Sequence, residues 1–130
     1  MNWKIFDSDT PVLIQGITGK EGQRMARWLI QSGVKVVAGV TPGKGGQESE
    51  GCPVFNSVSE ARQAFPDLLV SCIVVPPARV LGAVQEAVAA GIKFMNILTE
   101  QVPVHDVLAM RELATKNQAT ILGPSSVGYL

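Results

Sequence analysis

Short apolar runs that alternate with segments of helical period constrain this chain more than any other feature. Val12-Leu13-Ile14-Gln15 stops at Gly16 and reads as a buried strand. From Lys20 the period changes: Met25 and Leu29, with Trp28 on the flank, recur at helical spacing until Ser32-Gly33 ends the helix. Val34 to Val40 is nearly continuous Val and Ala, as in a parallel strand covered on both faces. A glycine-rich loop runs from Thr41 to Gly51, and Pro53-Val54-Phe55 reads as a very short strand. Ser57 and Glu60 have capping-box spacing and open a helix that ends near Phe65-Pro66. Leu69 to Val75 is a further strand, closed by Pro76-Pro77. Val80, Val84 and Val88 lie four apart on a helix that Gly91 ends, and Phe94 to Leu98 is the next strand. Pro103 to about Asn117 is a helix with Val107, Met110 and Leu113 inward and Pro103 in its first turn. Thr120-Ile121-Leu122 is the last strand, and the chain looks cut off just after it.

Alternation of this kind implies an α/β fold: a Rossmann-like, doubly wound, mostly parallel sheet with helices on both faces and right-handed crossovers. Residues 1–130 form one domain, without repeat or linker. Hydrophobic residues make up 46% and charged residues 17%, which excludes a disordered chain. Eleven basic residues balance eleven acidic ones, so no global positive field points to nucleic acid or an anionic membrane. No apolar run approaches the roughly 20 residues of a membrane span. The N-terminus lacks the pattern of a signal peptide. Cys52 and Cys72 make neither a metal motif nor a disulfide framework, and the chain is expected to be cytoplasmic.

In open parallel sheets ligands bind beyond the carboxyl ends of the strands, and four loops of unusual composition leave such ends. The first is the Gly16-Ile17-Thr18-Gly19-Lys20-Glu21-Gly22 turn, where glycine admits a close ligand and the following helix offers free N–H groups to an anion. The second follows Val40. A dinucleotide site usually carries Asp or Glu about 20 residues after its glycines, to hold a ribose hydroxyl. None stands here, which disfavours NAD. Instead Pro42 and then Lys44 lie among glycines, a cation suited to phosphate, although the spacing is not that of a Walker loop. The third loop, Val75-Pro76-Pro77, is a stiff apolar ledge suited to a flat base or a pantetheine arm. In the fourth, Leu98-Thr99-Glu100, the acid either accepts a hydrogen bond from a ligand amine or begins the next helix. Elsewhere His105 lacks a catalytic partner, Cys72 reads as a small buried hydrophobe and Cys52 as a loop thiol. Trp3 and Trp28 read as packing residues, Trp3 at an interface.

Gln15-Gly16-Ile17-Thr18-Gly19-Lys20-Glu21-Gly22, Val40-Thr41-Pro42-Gly43-Lys44-Gly45-Gly46 and Gly51-Cys52-Pro53-Val54-Phe55-Asn56 closely resemble the CoA-binding domain of succinyl-CoA synthetase alpha subunits. The likeness continues through Val75-Pro76-Pro77, Ile97-Leu98-Thr99-Glu100 and Ile121-Leu122-Gly123-Pro124 and covers nearly the whole chain in order. It implies CoA as ligand, with Thr18, Gly19, Lys20 and Glu21 lining the phosphate turn opened by Gly16, and Lys44 on a CoA phosphate. Val40, Pro42, Val75 and Pro76 would flank the nucleotide, and Leu98, Thr99 and Glu100 would meet its adenine end or the neighbouring wall. In that family alpha and beta subunits join a carboxylic acid to CoA at the expense of ATP or GTP. The phosphorylated histidine lies in a second alpha-subunit domain and the nucleotide site in the beta subunit. His105 does not match the histidine's position, so this chain is expected to bind CoA without catalysing, and to need a beta subunit or the remaining alpha domain as partner. Two departures stand out. Glu21 replaces the usual glutamine, and is repulsive to phosphate unless it turns away or meets Lys20. Gly123-Pro124-Ser125-Ser126-Val127-Gly128 replaces Gly-Pro-Asn-Cys-Pro-Gly, which bears on the acid substrate more than on CoA.

Two other functions compete. A stand-alone CoA- or nucleotide-sensing module would explain the short length and the altered last loop. A small NAD-dependent oxidoreductase is opposed by the missing carboxylate after Val40 and by the lack of a substrate domain.

Overall fold

Pro11–Gln15 (β1), Lys35–Val40 (β2), Cys52–Phe55 (β4), Val70–Ile73 (β5), Phe94–Ile97 (β6) and Thr120–Leu122 (β8) run parallel in one sheet, in the computed structural model that describes residues 9–124 and 127–128. With the short strand Glu48–Ser49 (β3) the order is β3-β4-β2-β1-β5-β6-β8. The chain therefore winds outward one way from β1 through β2 to β4, then crosses back to β5 and winds the other way. That is the doubly wound order foreseen from the alternation, with its topological switch point between β1 and β5.

Two apolar cores flank the sheet. The larger gathers Leu13, Ile73 and Met95 from the strands against helices Val58–Ala64 (α2), Val80–Ala89 (α3) and Val104–Lys116 (α4). The smaller holds Val12, Ile14 and Cys72 against helix Lys20–Gln31 (α1). Alternate residues of β1 thus face opposite cores, which the period-two geometry of a strand requires. In α3, Val80, Val84 and Ala87 are fully buried, and in α4 Val107, Met110 and Ala114 form the inward stripe.

Local chemistry sets the boundaries. Ser57 Oγ accepts the Glu60 N–H at 3.1 Å and caps α2, as the capping-box spacing predicts. The Glu60 carboxylate reaches one residue further back than the usual box, to the Asn56 N–H at 3.3 Å. Arg62 then secures both helix exits. Its guanidinium donates to the carbonyls of Leu68 at 2.9 Å, Pro66 at 2.8 Å and Ala90 at 3.0 Å.

Five sequence expectations need correction. The stretch between Thr41 and Gly51 is not all loop: Glu48–Ser49 pairs antiparallel with β4. Cys52 is not a loop thiol but the buried first residue of β4, where Sγ donates to the Val36 carbonyl at 3.4 Å. Pro103 does not open α4. It is extended, precedes the helix, and belongs to Val102–Pro103 (β7), which pairs with Val127–Gly128 (β9) in a small second sheet. Glu100 does not begin a helix either, since α4 starts four residues later. Trp28 is not a packing residue: it is 61% exposed, and α1 buries Gly22 and Ala26 instead. Small residues on that face let the helix axis lie close to the sheet, which leaves no room beneath it for an indole. Trp3 and the Ser125-Ser126 segment lie outside the described residues.

Candidate functional site

Ile17 builds the site from below. Its side chain is fully buried over Gly39 of β2, where any Cβ would collide with it. This plug drives the chain into a tight turn directly after β1. Gly16 takes a φ of +92°, and a Cβ there would strike the Val74 carbonyl of the neighbouring strand end. A Cβ on Gly22 would strike the Gly16 carbonyl, so the third glycine lets α1 press against the turn. Gly19 is the N-cap of α1 and offers no side-chain cap, which leaves the first-turn N–H groups of the helix available to an anion.

A crevice of about 370 Å³ opens above the carboxyl ends of β2, β1 and β5, at the switch point. That volume lies within the range of roughly 300–1,000 Å³ usual for small-molecule sites. The glycine turn contributes Gly16, Thr18 and Gly19. The end of β2 contributes Val40, Thr41 and Pro42, and the end of β5 contributes Val74, Val75 and Pro76. Thr18 Oγ1 donates to Thr41 Oγ1 at 3.0 Å and ties the first two walls together. The apolar ledges face each other across the opening, while the donors sit at the turn between them.

The floor is fastened by buried polar groups. The Gln15 amide donates to the Ala83 carbonyl at 3.0 Å and accepts from Ser71 Oγ at 2.7 Å. Gln15 therefore holds β1 to β5 and α3 with both ends of its amide engaged. Glu86 of α3 accepts the Val58 N–H at 2.7 Å, so the acid in the crevice caps α2. Neither thiol lines the crevice. Burial pushes the Cys72 thiol up to about 11, and burial, followed by the charges of Glu48 and Glu50, raises that of Cys52.

The remaining residues singled out in the sequence lie around the crevice rather than in its wall. Lys20 and Glu21 are exposed on the first turn of α1. Glu21 pairs at 3.5 Å with Arg24, not with Lys20, so its charge is directed along the helix and away from the turn. Lys44 is exposed on the glycine-rich loop. That loop is held by Asn56, whose Oδ1 accepts the N–H groups of Gly43 and Gly45, each at 2.9 Å. Thr99 Oγ1 donates to the Val75 carbonyl at 2.7 Å and pins the apolar ledge from the neighbouring strand end. Leu98 packs into the smaller core, and Glu100 is exposed. His105 is exposed, and no group of three His, Cys, Asp or Glu side chains able to hold a metal occurs among the described residues. No helix among the described residues is long and apolar enough to cross a membrane.

One wall was missed in the sequence: Arg79, Gly82, Ala83 and Glu86 also line the crevice. The signal was present as spacing. These positions fall three, four and seven residues from Arg79, on the helix face left free by Val80, Val84 and Ala87.

An open doubly wound sheet with a glycine turn and an uncharged β2 end beside its switch-point crevice defines a Rossmann-like nucleotide-binding domain. The chain belongs to the CoA-binding domain family, which matches residues 7–101. It is 46% identical over 127 residues to the succinate–CoA ligase (ADP-forming) alpha subunit 2 of Archaeoglobus fulgidus, covering 97% of this chain and 44% of that one. With the corresponding alpha subunit of Aquifex aeolicus it shares 43% identity over 128 residues, 97% of this chain and 42% of that one. The chain thus spans less than half the length of these relatives. Among solved structures, the ATP citrate lyase of Methanothrix soehngenii in complex with citrate and coenzyme A superposes with a TM-score of 0.74. That match has 21% identity and covers 93% of this chain and 21% of that one, a likeness of fold.

Proposed function

We propose that this chain binds CoA in the crevice beyond β2, β1 and β5, as the CoA-binding part of an ADP- or GDP-forming acid–CoA ligase alpha subunit. One observation carries this reading: every residue lining the crevice, from Gln15 to Glu86, falls within the segment that matches the CoA-binding family. The chemistry of the wall agrees. The uncapped turn at Gly19 suits a phosphate, the ledges Val40-Pro42 and Val74-Pro76 suit a flat base, and the β2 end offers no carboxylate to an NAD ribose. Thr18 and Gly19 receive the phosphates with Lys20 and Lys44 as nearby charge. Leu98, Thr99 and Glu100 support the far side.

On this reading the chain holds CoA for a ligase beta subunit and a histidine-bearing part of the alpha subunit, in the cytoplasm, and does not ligate acid to CoA by itself. Isothermal titration of the chain with CoA, with NAD and ATP as comparators, tests it. CoA is expected to bind in preference to both. Lys44→Ala is expected to weaken CoA by about 1.5–3 kcal/mol, the range for losing a hydrogen bond to a charged group. A folded chain that takes up no CoA, or that prefers NAD, overturns the reading. Unchanged affinity in Lys44→Ala removes that lysine from the site.

A further inference from the structure

Arg79 closes the 3-10 turn Pro77–Arg79 and stands as the N-cap of α3, its N–H bonded to the Pro76 carbonyl at 2.8 Å. It is exposed at the edge of the crevice and is the one basic residue among those lining it. Most other described arginines have partners: Arg24 and Arg27 meet carboxylates, and Arg62 donates to three carbonyls. The Arg79 guanidinium has neither ion pair nor hydrogen bond among the described residues. The acid on its own face, Glu86, is seven residues on, about 10.5 Å along the helix axis, and is engaged with the Val58 N–H.

This placement is electrostatically unfavourable for a chain without ligand. A helix N-terminus carries partial positive charge and favours anions, yet α3 begins with a cation and has no side-chain cap. Next to Arg79 on the same face stand Gly82 and Ala83, and a Cβ on Gly82 would meet nothing within 4 Å. Arg79 therefore lines open space. Across that space, the glycine turn presents the equally uncapped N-terminus of α1.

We infer that Arg79 binds a phosphate group of the ligand, completing from α3 an anion site whose other half is the glycine turn of α1. The inference rests on the CoA reading and adds to it the residue that recognises phosphate. A guanidinium grips phosphate oxygens in pairs, which a lysine cannot reproduce.

The test compares wild type, Arg79→Gln and Arg79→Lys in titrations with CoA, dephospho-CoA and pantetheine, with thermal melting to verify that each is folded. Arg79→Gln is expected to weaken CoA about tenfold or more and leave pantetheine unchanged, with Arg79→Lys recovering only part of the loss. An equal loss with dephospho-CoA assigns the contact to the diphosphate. Dephospho-CoA binding unaffected by the substitution assigns it to the 3′-phosphate. Unchanged CoA affinity, or an equal loss with pantetheine, overturns the inference. If wild type takes no CoA, the wider reading fails first. Arg79 is then judged on adenosine 3′,5′-diphosphate, where identical behaviour of wild type and Arg79→Gln, including no binding by either, overturns it.

Discussion

A Cβ at Gly16 would strike the Val74 carbonyl, and the residue holds a φ of +92°. Both obstacles are backbone, so neither yields by rotating a side chain. At Gly19, in the same turn, the nearest atom to a built Cβ is the Gly16 carbonyl oxygen at 3.5 Å, an ordinary contact, and φ is −71°. Gly16→Ala is therefore expected to cost about 2–4 kcal/mol in urea unfolding, from left-handed strain plus overpacking. Gly19→Ala is expected to cost less than about 1 kcal/mol and to act on ligand approach instead. Equal losses at the two positions would show that the turn is not built as described. The three glycines thus have separable uses: one passes the chain beneath a neighbouring strand, one leaves the helix end open, and one lets the helix pack close.

Helix α3 shows how an element can serve a core and a site at once. Val80, Val84 and Ala87 bury one side completely, while Gly82 and Ala83 keep the other low so that the crevice stays open. Gly82→Leu should leave the fold intact, because the added side chain enters open space and replaces a poor helix former. It is expected to raise thermal stability slightly and to abolish CoA binding by filling the crevice. Retained affinity would place the ligand elsewhere. The strands and helices themselves were legible because each carries a clear period. The two-residue strands β3, β7 and β9 were not, since a period needs more than two residues to register. Trp28 misled for a related reason: patterning credits large apolar residues, whereas α1 packs through Gly22 and Ala26. Gly16, Thr18, Val40, Pro42, Val75 and Pro76 were legible as crevice residues because they end strands, and strand ends converge in this topology. Arg79 and Glu86 sit on a helix face, and which face meets the crevice is decided only when α3 docks.

At the scale of the whole molecule, the switch point lies between β1 and β5, and Cys72 sits on β5 within the smaller core. Cys72 is 7% exposed, and burial lifts its thiol from an ordinary 9.0 to about 11. Below pH 9 the thiol is protonated in both folded and unfolded chains, so it gives stability no pH dependence there. Between pH 9 and 11 the unfolded chain loses the proton and the folded chain keeps it, which favours unfolding as pH rises. At about 1.4 kcal/mol for each unit of pKa difference, the loss across that window is on the order of 2 kcal/mol. Cys52 adds in the same direction, since its thiol is raised as well. Urea unfolding under reducing conditions at pH 8 and pH 10.5 measures the decline. In Cys72→Ala the baseline falls because a buried sulfur is lost, but the decline with pH should be shallower than in wild type. Parallel declines would mean that Cys72 ionises as readily in the folded chain as in the unfolded one. That would require water to reach the smaller core, where Cys72 packs with Val12, Ile14 and Ile17.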